Sequence, residues 1–166
     1  MRMTVRTGLA IGVLLLVTSP LSAQEPAAVF ERLGGEWRGE GTLLGRAARF
    51  EMRWEPRGML AVLTFENAFV DSSGQVTPVL SAAAVYRTSL QSPEAVWLDS
   101  RGVRIEIRWT ATDSTLVASW TAPEEAGRTT YRVLSSEELE VVDEVETDGA
   151  LRAFATARYR RVDALP

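Results

Sequence analysis

Apolar and polar residues alternate with a period of two along most of the chain. The segment 49–55 places Phe50, Met52 and Trp54 on one face and charged side chains on the other. This pattern is typical of a β-strand with one buried face. The same alternation predicts about ten strands, at 36–43, 49–55, 59–69, 79–88, 95–99, 103–109, 115–121, 128–133, 138–146 and 151–162.

The breaks between these segments carry turn-forming residues and leave no room for helical crossovers. The pair Asp148-Gly149 is typical of a two-residue hairpin. Strands joined by tight turns pair antiparallel in sequence order, and closing the sheet removes its exposed edges. We therefore predict an all-β fold, an antiparallel up-and-down β-barrel of about ten strands over 36–162, and favour it over a two-sheet sandwich.

Residues 1–23 have the composition of a secretory signal peptide. Arg2 and Arg6 precede an apolar run over 8–18, and the small residue Ala23 marks the expected cleavage point. The run is shorter than the roughly 20 apolar residues that span a bilayer, which argues against an uncleaved membrane anchor. We expect an exported protein, periplasmic or extracellular, with no membrane span after cleavage.

Residues 24–35 predict a short helix and a glycine lead-in ahead of the barrel. Pro26 suits a first helical turn, and Phe30 and Leu33 share one helical face. Gly34 and Gly35 follow and end the helix.

The 166-residue chain contains no Cys, His or Lys. Without Cys it has no disulfide or thiol nucleophile, and without His it has no His-based triad, no His-ligated zinc and no His-ligated haem. Its net charge of −4 disfavours a nucleic-acid partner. We expect no enzyme activity, catalytic residue, metal or cofactor, although paired carboxylates are able to perform acid–base chemistry without His.

The apolar faces, if they point inward, give the barrel an aromatic interior. Two strands place small residues on that face, Ala82 and Ala84 on one and Ala153, Ala155 and Ala157 on the other. Large side chains opposite Ala leave space for a ligand, and the predicted partner is a small hydrophobic or amphipathic molecule. The predicted cavity lining is Phe50, Met52, Trp54, Tyr86, Trp97, Ile105, Ile107, Trp109, Trp120 and Tyr131.

The alternative is a barrel whose interior is filled by its own side chains. Its rim or outer surface would then bind another protein, as an interaction or inhibitor module in the cell envelope. An interior volume of several hundred Å³ favours the ligand hypothesis, and a filled interior favours the protein partner.

The segment 35–41 (GEWRGEG) opens the first strand, and Tyr159-Arg160-Arg161 ends the last. Together they resemble the Gly-x-Trp opening and the terminal Arg of the calycin superfamily, which includes lipocalins, fatty-acid-binding proteins and avidins. The resemblance implies that Trp37 closes one end of the barrel and that Arg160 or Arg161 packs across it. Such a cation–π contact is structural and contributes roughly 0.5–2 kcal/mol.

With the predicted signal peptide and the segment 97–100 (WLDS), the chain resembles exported bacterial lipocalin-like proteins of unknown function, the DUF1579 type. It is more distantly similar to nitrobindins, which bind ferric haem through a His that this chain lacks. Tyr86, Tyr131 and Tyr159 are the alternative iron ligands. Fatty-acid-binding proteins hold a carboxylate with inward Arg and Tyr residues, but the alternation here places Arg158 outside the barrel.

Overall fold

The computed structural model describes residues 27–162, in which one short helix, α1 (Ala28–Leu33), precedes ten strands. Consecutive strands pair antiparallel and the last pairs with the first, so the sheet closes. The predicted fold, an antiparallel up-and-down barrel with a short N-terminal helix, is confirmed. The strands are β1 (Gly35–Leu43), β2 (Arg46–Arg57), β3 (Leu60–Val70), β4 (Val76–Arg87), β5 (Glu94–Asp99), β6 (Arg104–Ala111), β7 (Thr115–Thr121), β8 (Ala126–Val133), β9 (Glu138–Thr147) and β10 (Ala150–Arg161).

The predicted signal peptide, 1–23, lies outside the described residues, as do positions 24–26 of the predicted helix. Between residues 27 and 162, no helix combines the length and the apolar character needed to cross a membrane.

Two-residue turns allow the hairpins to extend further than the alternation alone indicates. In the turn between β9 and β10, Asp148 and Gly149 have φ angles of 55° and 73°. Leu44 and Gly45 have φ angles of 51° and 75°, so the same turn joins β1 to β2. Such turns match the right-handed twist of a hairpin, so pairing continues up to the turn and β2 begins at 46 where the sequence predicts 49.

A β-bulge at Phe154 changes which side chains of β10 face inward. The pairing with β9 shifts between Ala153 and Ala155, so Phe154 is inserted between two regular pairs. Ala155 and Ala157 are buried, but Ala153 is exposed. The expectation that Ala153 shares their inward face is therefore wrong, since a bulge reverses the alternation. Beyond the bulge the alternation holds, and Arg158 lies on the outer face, as expected.

Helix α1 closes one end of the barrel. The ring of Phe30 packs on Trp54, Tyr86 and Trp109, with centroid separations between 5.1 and 6.0 Å. The backbone N–H of Ala27 donates to the carbonyl of Thr88 over 2.8 Å, which holds the start of the helix against the β4–β5 loop. The opposite end carries the turns at 44–45, 71–75, 100–103, 122–125 and 148–149.

Trp37 and Arg161 fasten α1 to this closed end. Trp37 is 1% exposed, and its indole N–H donates to the carbonyl of Leu33 over 2.7 Å. The Arg161 guanidinium lies 4.2 Å from the centre of the Trp37 ring. It also donates to the carbonyls of Arg32 and Gly34 at the end of the helix. One side chain thus caps the helix and covers the indole.

Of the two arginines that the resemblance leaves open, Arg161 is the one that faces Trp37. The two residues are cross-strand partners between β1 and β10. Arg160 is wrong for this role because neighbouring residues of a strand point to opposite faces. Its side chain is exposed and lies 3.4 Å from Glu138 on the outside of the barrel.

Candidate functional site

A cavity of about 460 Å³ occupies the barrel between the aromatic layer under α1 and the end that carries the hairpin turns. Tyr86 and Tyr131 lie deepest, because both pack against Trp54 of the closed end. Leu44, Arg101 and Glu125 also line it, and each belongs to a turn or loop at the opposite end. The cavity therefore has a closed floor and a mouth.

Most of the residues predicted to line the cavity do so. The structure places on its wall Met52, Tyr86, Trp97, Ile105, Ile107, Trp120 and Tyr131. That these residues bind a ligand stays a prediction.

Phe50, Trp54 and Trp109 point inward but are not part of the cavity wall. Trp54 and Trp109 pack against Phe30 beneath α1, where they fill the closed end. The indole N–H of Trp109 donates to the carbonyl of Arg87 over 3.0 Å, which fixes it there. The assignment of Trp54 and Trp109 to the lining is wrong because alternation gives the face of a residue but not its depth along the barrel. Phe50 is wrong for a different reason, since its ring packs on Phe65 and Tyr159, which line the cavity in its place.

A carboxylate interrupts this largely apolar wall. Asp143 of β9 borders the cavity and accepts a hydrogen bond of 2.6 Å from the Thr129 hydroxyl of β8. The protein surrounds the carboxyl closely, and this loss of hydration raises the pKa of Asp143 to about 6, against the opposing effect of the Thr129 hydrogen bond. At neutral pH the cavity therefore contains a carboxylate in a poorly hydrated position.

Three tyrosines surround the same part of the interior. The hydroxyls of Tyr86 and Tyr131 influence each other's pKa. Burial raises the pKa of Tyr86, Tyr131 and Tyr159, and the charge of Asp143 adds to the shift. All three hydroxyls are therefore neutral phenols.

Asn67 of β3 supplies a further polar group to the cavity wall. Its Oδ1 atom is buried and has no hydrogen-bond partner among residues 27–162. A buried acceptor without a partner destabilises the fold by roughly 1–3 kcal/mol.

Trp97 and Trp120 form broad apolar walls of the cavity. Gly127 is the cross-strand partner of Trp120, and a Cβ atom at Gly127 would lie 2.4 Å from the indole ring. The glycine therefore leaves room for the Trp120 ring against β8. At the mouth, the Arg101 guanidinium donates to the carboxylate of Asp99 over 2.6 Å.

The sequence analysis missed Asp143, Thr129 and Asn67 as cavity residues. A signal for Asp143 is present, because along β9 it occupies the apolar register of Leu139 and Val141. Because several glutamates surround Asp143 in the sequence, a reading based on charge alone groups it with these outward-facing residues. Thr129 and Asn67 likewise occupy inward positions of their strands.

A shallower depression of about 560 Å³ lies on the outer surface of β1 to β5. Its charged side chains pair with one another, as in the contacts of Arg38 with Glu51 and of Arg53 with Glu36, both at 3.8 Å. Such exposed pairs contribute little free energy and are typical of a solvated outer face. We therefore place the candidate site inside the barrel.

Within 27–162, no group of three or more acidic residues is arranged to hold a metal ion. Inside the cavity, Asp143 lies in the wall and Glu125 lies at the mouth on the β7–β8 turn. That the chain is not an enzyme stays a prediction.

No known protein-family model matches the chain, and no curated protein matches it. Similar solved structures include the following three. The S-type Phycobiliprotein Lyase CPES from Guillardia theta matches with a TM-score of 0.53 and 14% identity, over 82% of this chain and 92% of that one. EF1p2_mFAP2b bound to DFHBI matches with a TM-score of 0.48 and 12% identity, over 82% and 98%. A redesigned beta barrel, b11L5F_LGL, matches with a TM-score of 0.47 and 14% identity, over 82% and 97%.

The match to the lyase supports the barrel fold of this chain. The finer resemblance, to the DUF1579 type, is not confirmed.

Proposed function

We propose that this chain binds a small hydrophobic or amphipathic molecule inside the barrel. The observation that carries the proposal is the cavity of about 460 Å³ with a closed floor, a mouth and a largely apolar wall. Its volume falls in the range typical of small-molecule sites, roughly 300–1,000 Å³. Burial of apolar ligand surface against the aromatic wall would drive binding, at roughly 25 cal/mol per Å² before the costs of association.

The cavity also bears on the alternative of a protein-interaction or inhibitor module. That hypothesis requires the inward side chains to fill the barrel. The small side chain of Ala118 lines the cavity on β7, and Ala84 and Ala155 are buried on β4 and β10. We therefore favour the ligand over the protein partner.

Plugging the cavity tests the proposal. Val145 lines the cavity on β9, so Val145→Trp would place an indole inside the cavity and reduce the volume open to a ligand. We expect wild-type protein to bind the uncharged dye N-phenylnaphthylamine with a rise in dye fluorescence. In the variant we expect the dissociation constant to rise at least tenfold, measured by fluorescence titration.

Val142→Trp is the matched control. Val142 lies on the same strand, and its neighbours Val141 and Asp143 face inward, so its own side chain faces out. We expect this variant to bind the dye like wild type, with unchanged circular dichroism in both variants. A folded wild-type protein that binds no dye, or equal weakening by both substitutions, would overturn the proposal.

We further propose that the protein is exported, on the strength of the predicted signal peptide over 1–23. Expression of the full chain in a bacterial host, followed by mass spectrometry of the envelope and culture fractions, tests this. We expect a mature chain that begins at Gln24. Recovery of only the uncleaved chain from the cytoplasm would contradict export.

A further inference from the structure

The carboxylate of Asp143 lies in the cavity wall and has hydrogen-bonding capacity that the protein leaves unused. Thr129 donates to one carboxylate oxygen of Asp143, and within 27–162 no other side chain donates to this carboxylate. A ligand group that reaches this carboxylate and donates a hydrogen bond to it would use that capacity.

The charge distribution favours a cation over an anion. Arg128 pairs with Glu144 and Arg132 pairs with Glu140, so the guanidinium groups beside β9 are held on its outer face. The basic residue of the cavity wall, Arg101, lies at the mouth. A carboxylate ligand placed deep in the barrel would meet the charge of Asp143 without a compensating cation, and like charges in a poorly hydrated site repel strongly.

The aromatic wall is compatible with a cation at the same place. Trp97, Trp120 and Tyr131 line the cavity together with Asp143. Indole and phenol faces attract ammonium groups, most strongly where water is excluded. The wall thus receives an apolar body and also stabilises a positive charge near the carboxylate.

We propose that the ligand of this cavity is a lipophilic amine, with its apolar body against the aromatic wall and its protonated nitrogen against Asp143. The inference rests on the proposed function and adds the chemical class of the ligand. The raised pKa of Asp143 agrees with it, because such a shift marks a poorly hydrated carboxylate that lacks a cationic partner. A bound ammonium supplies that partner and donates to the free carboxylate oxygen.

Three probes with one apolar body test the inference. They are phenylbutylamine, phenylbutanol and phenylbutyrate, which end in an ammonium, a hydroxyl and a carboxylate. At pH 8 we expect isothermal titration calorimetry to give the lowest dissociation constant for the amine and the highest for the carboxylate. A hydrogen-bonded charge pair in a buried site corresponds to about a tenfold to hundredfold preference for the amine over the alcohol.

Asp143→Asn removes the charge and keeps an oxygen that accepts from Thr129. We expect this variant to lose the preference for the amine, so that the dissociation constants of amine and alcohol converge to within about threefold. Glu144→Gln is the matched control. It removes one charge from the adjacent residue, whose partner Arg128 holds it on the outer face, and we expect the preference to persist.

The outcomes separate this inference from the function on which it rests. If none of the probes binds to the folded protein, both fail. If the alcohol binds as tightly as the amine, if the carboxylate binds best, or if Asp143→Asn retains the amine preference, the inference is overturned and the ligand-binding barrel stands.

Discussion

Replacing Trp37 by Ala is expected to lower the free energy of unfolding by about 3–5 kcal/mol, the usual range for removing a buried Trp. Trp37 is 1% exposed, and its indole lies between the closed end of the barrel and the Arg161 guanidinium. The substitution removes the hydrogen bond to the Leu33 carbonyl and the surface that Arg161 covers. Urea denaturation followed by far-ultraviolet circular dichroism measures the change.

Two arginine variants separate this contact from general surface effects. Arg161→Gln is expected to lower the free energy of unfolding by roughly 1–3 kcal/mol, since it removes the cation–π contact and the donors to the helix end. Arg160→Gln alters an exposed neighbour on the outer face, and we expect it to change the free energy of unfolding by less than about 0.5 kcal/mol. If the two arginine substitutions lower the free energy of unfolding equally, or if Trp37→Ala lowers it by less than about 1 kcal/mol, the contact between Trp37 and Arg161 does not stabilise the closed end of the barrel.

The barrel was predictable because each strand obeys a single local rule. In β2, the residues Phe50, Met52 and Trp54 are buried and the charged residues between them are not, as alternation predicts. The turns that join neighbouring strands are encoded by a few residues such as Asp148-Gly149. Since strands linked by short turns pair with their neighbours, local information determines the order of the sheet.

The cavity was only partly predictable because it depends on position along the barrel axis. Trp109 and Trp120 look alike in sequence, but Trp109 packs on Phe30 at the closed end and Trp120 lines the cavity. Which end α1 closes is set by tertiary contacts such as that of Ala27 with Thr88. The bulge at Phe154 is a further non-local event, since it is defined by pairing with β9.

Asp143 is a different case, because its inward position could be predicted from the sequence. It interrupts the apolar face formed by Leu139, Val141 and Val145, and Glu144 beside it belongs to the outer face. A single acidic residue on an inward face conflicts with burial and therefore marks a functional candidate. Its lack of an Arg partner was not predictable, because that depends on which side chains the neighbouring strands bring beside it.

The substitution Asp143→Asn is expected to stabilise the folded protein at pH 8 by up to about 3 kcal/mol. The pKa of Asp143 in the folded chain is about 6, against an ordinary value of 3.8, and each unit of difference corresponds to about 1.4 kcal/mol. Above pH 6 the carboxyl is ionised in both states, so the folded state carries the full penalty of a buried charge. Below about pH 4 it is protonated in both states, and the penalty is absent.

The sign of the pH dependence follows from this difference. Between about pH 4 and pH 6 the folded chain binds the proton more tightly than the unfolded chain, so this group destabilises the protein as the pH rises. Exposed carboxylates such as Glu55 and Asp71 have lowered pKa values and act in the opposite direction on acidification. The informative quantity is therefore the difference in the free energy of unfolding between wild type and Asp143→Asn. We expect this difference to be near its maximum at pH 8 and to vanish near pH 4.

Chemical denaturation of both proteins at several pH values measures this difference, with Glu144→Gln as the control for removing one negative charge from β9. The control is expected to lose stability at pH 8, because it breaks the contact of Glu144 with Arg128. A destabilised Asp143→Asn protein at pH 8 would mean that the ionised carboxylate is better satisfied than its surroundings indicate. The argument for a cationic ligand would then lose its electrostatic basis, because a carboxylate already neutralised by the protein has no need of an ammonium partner.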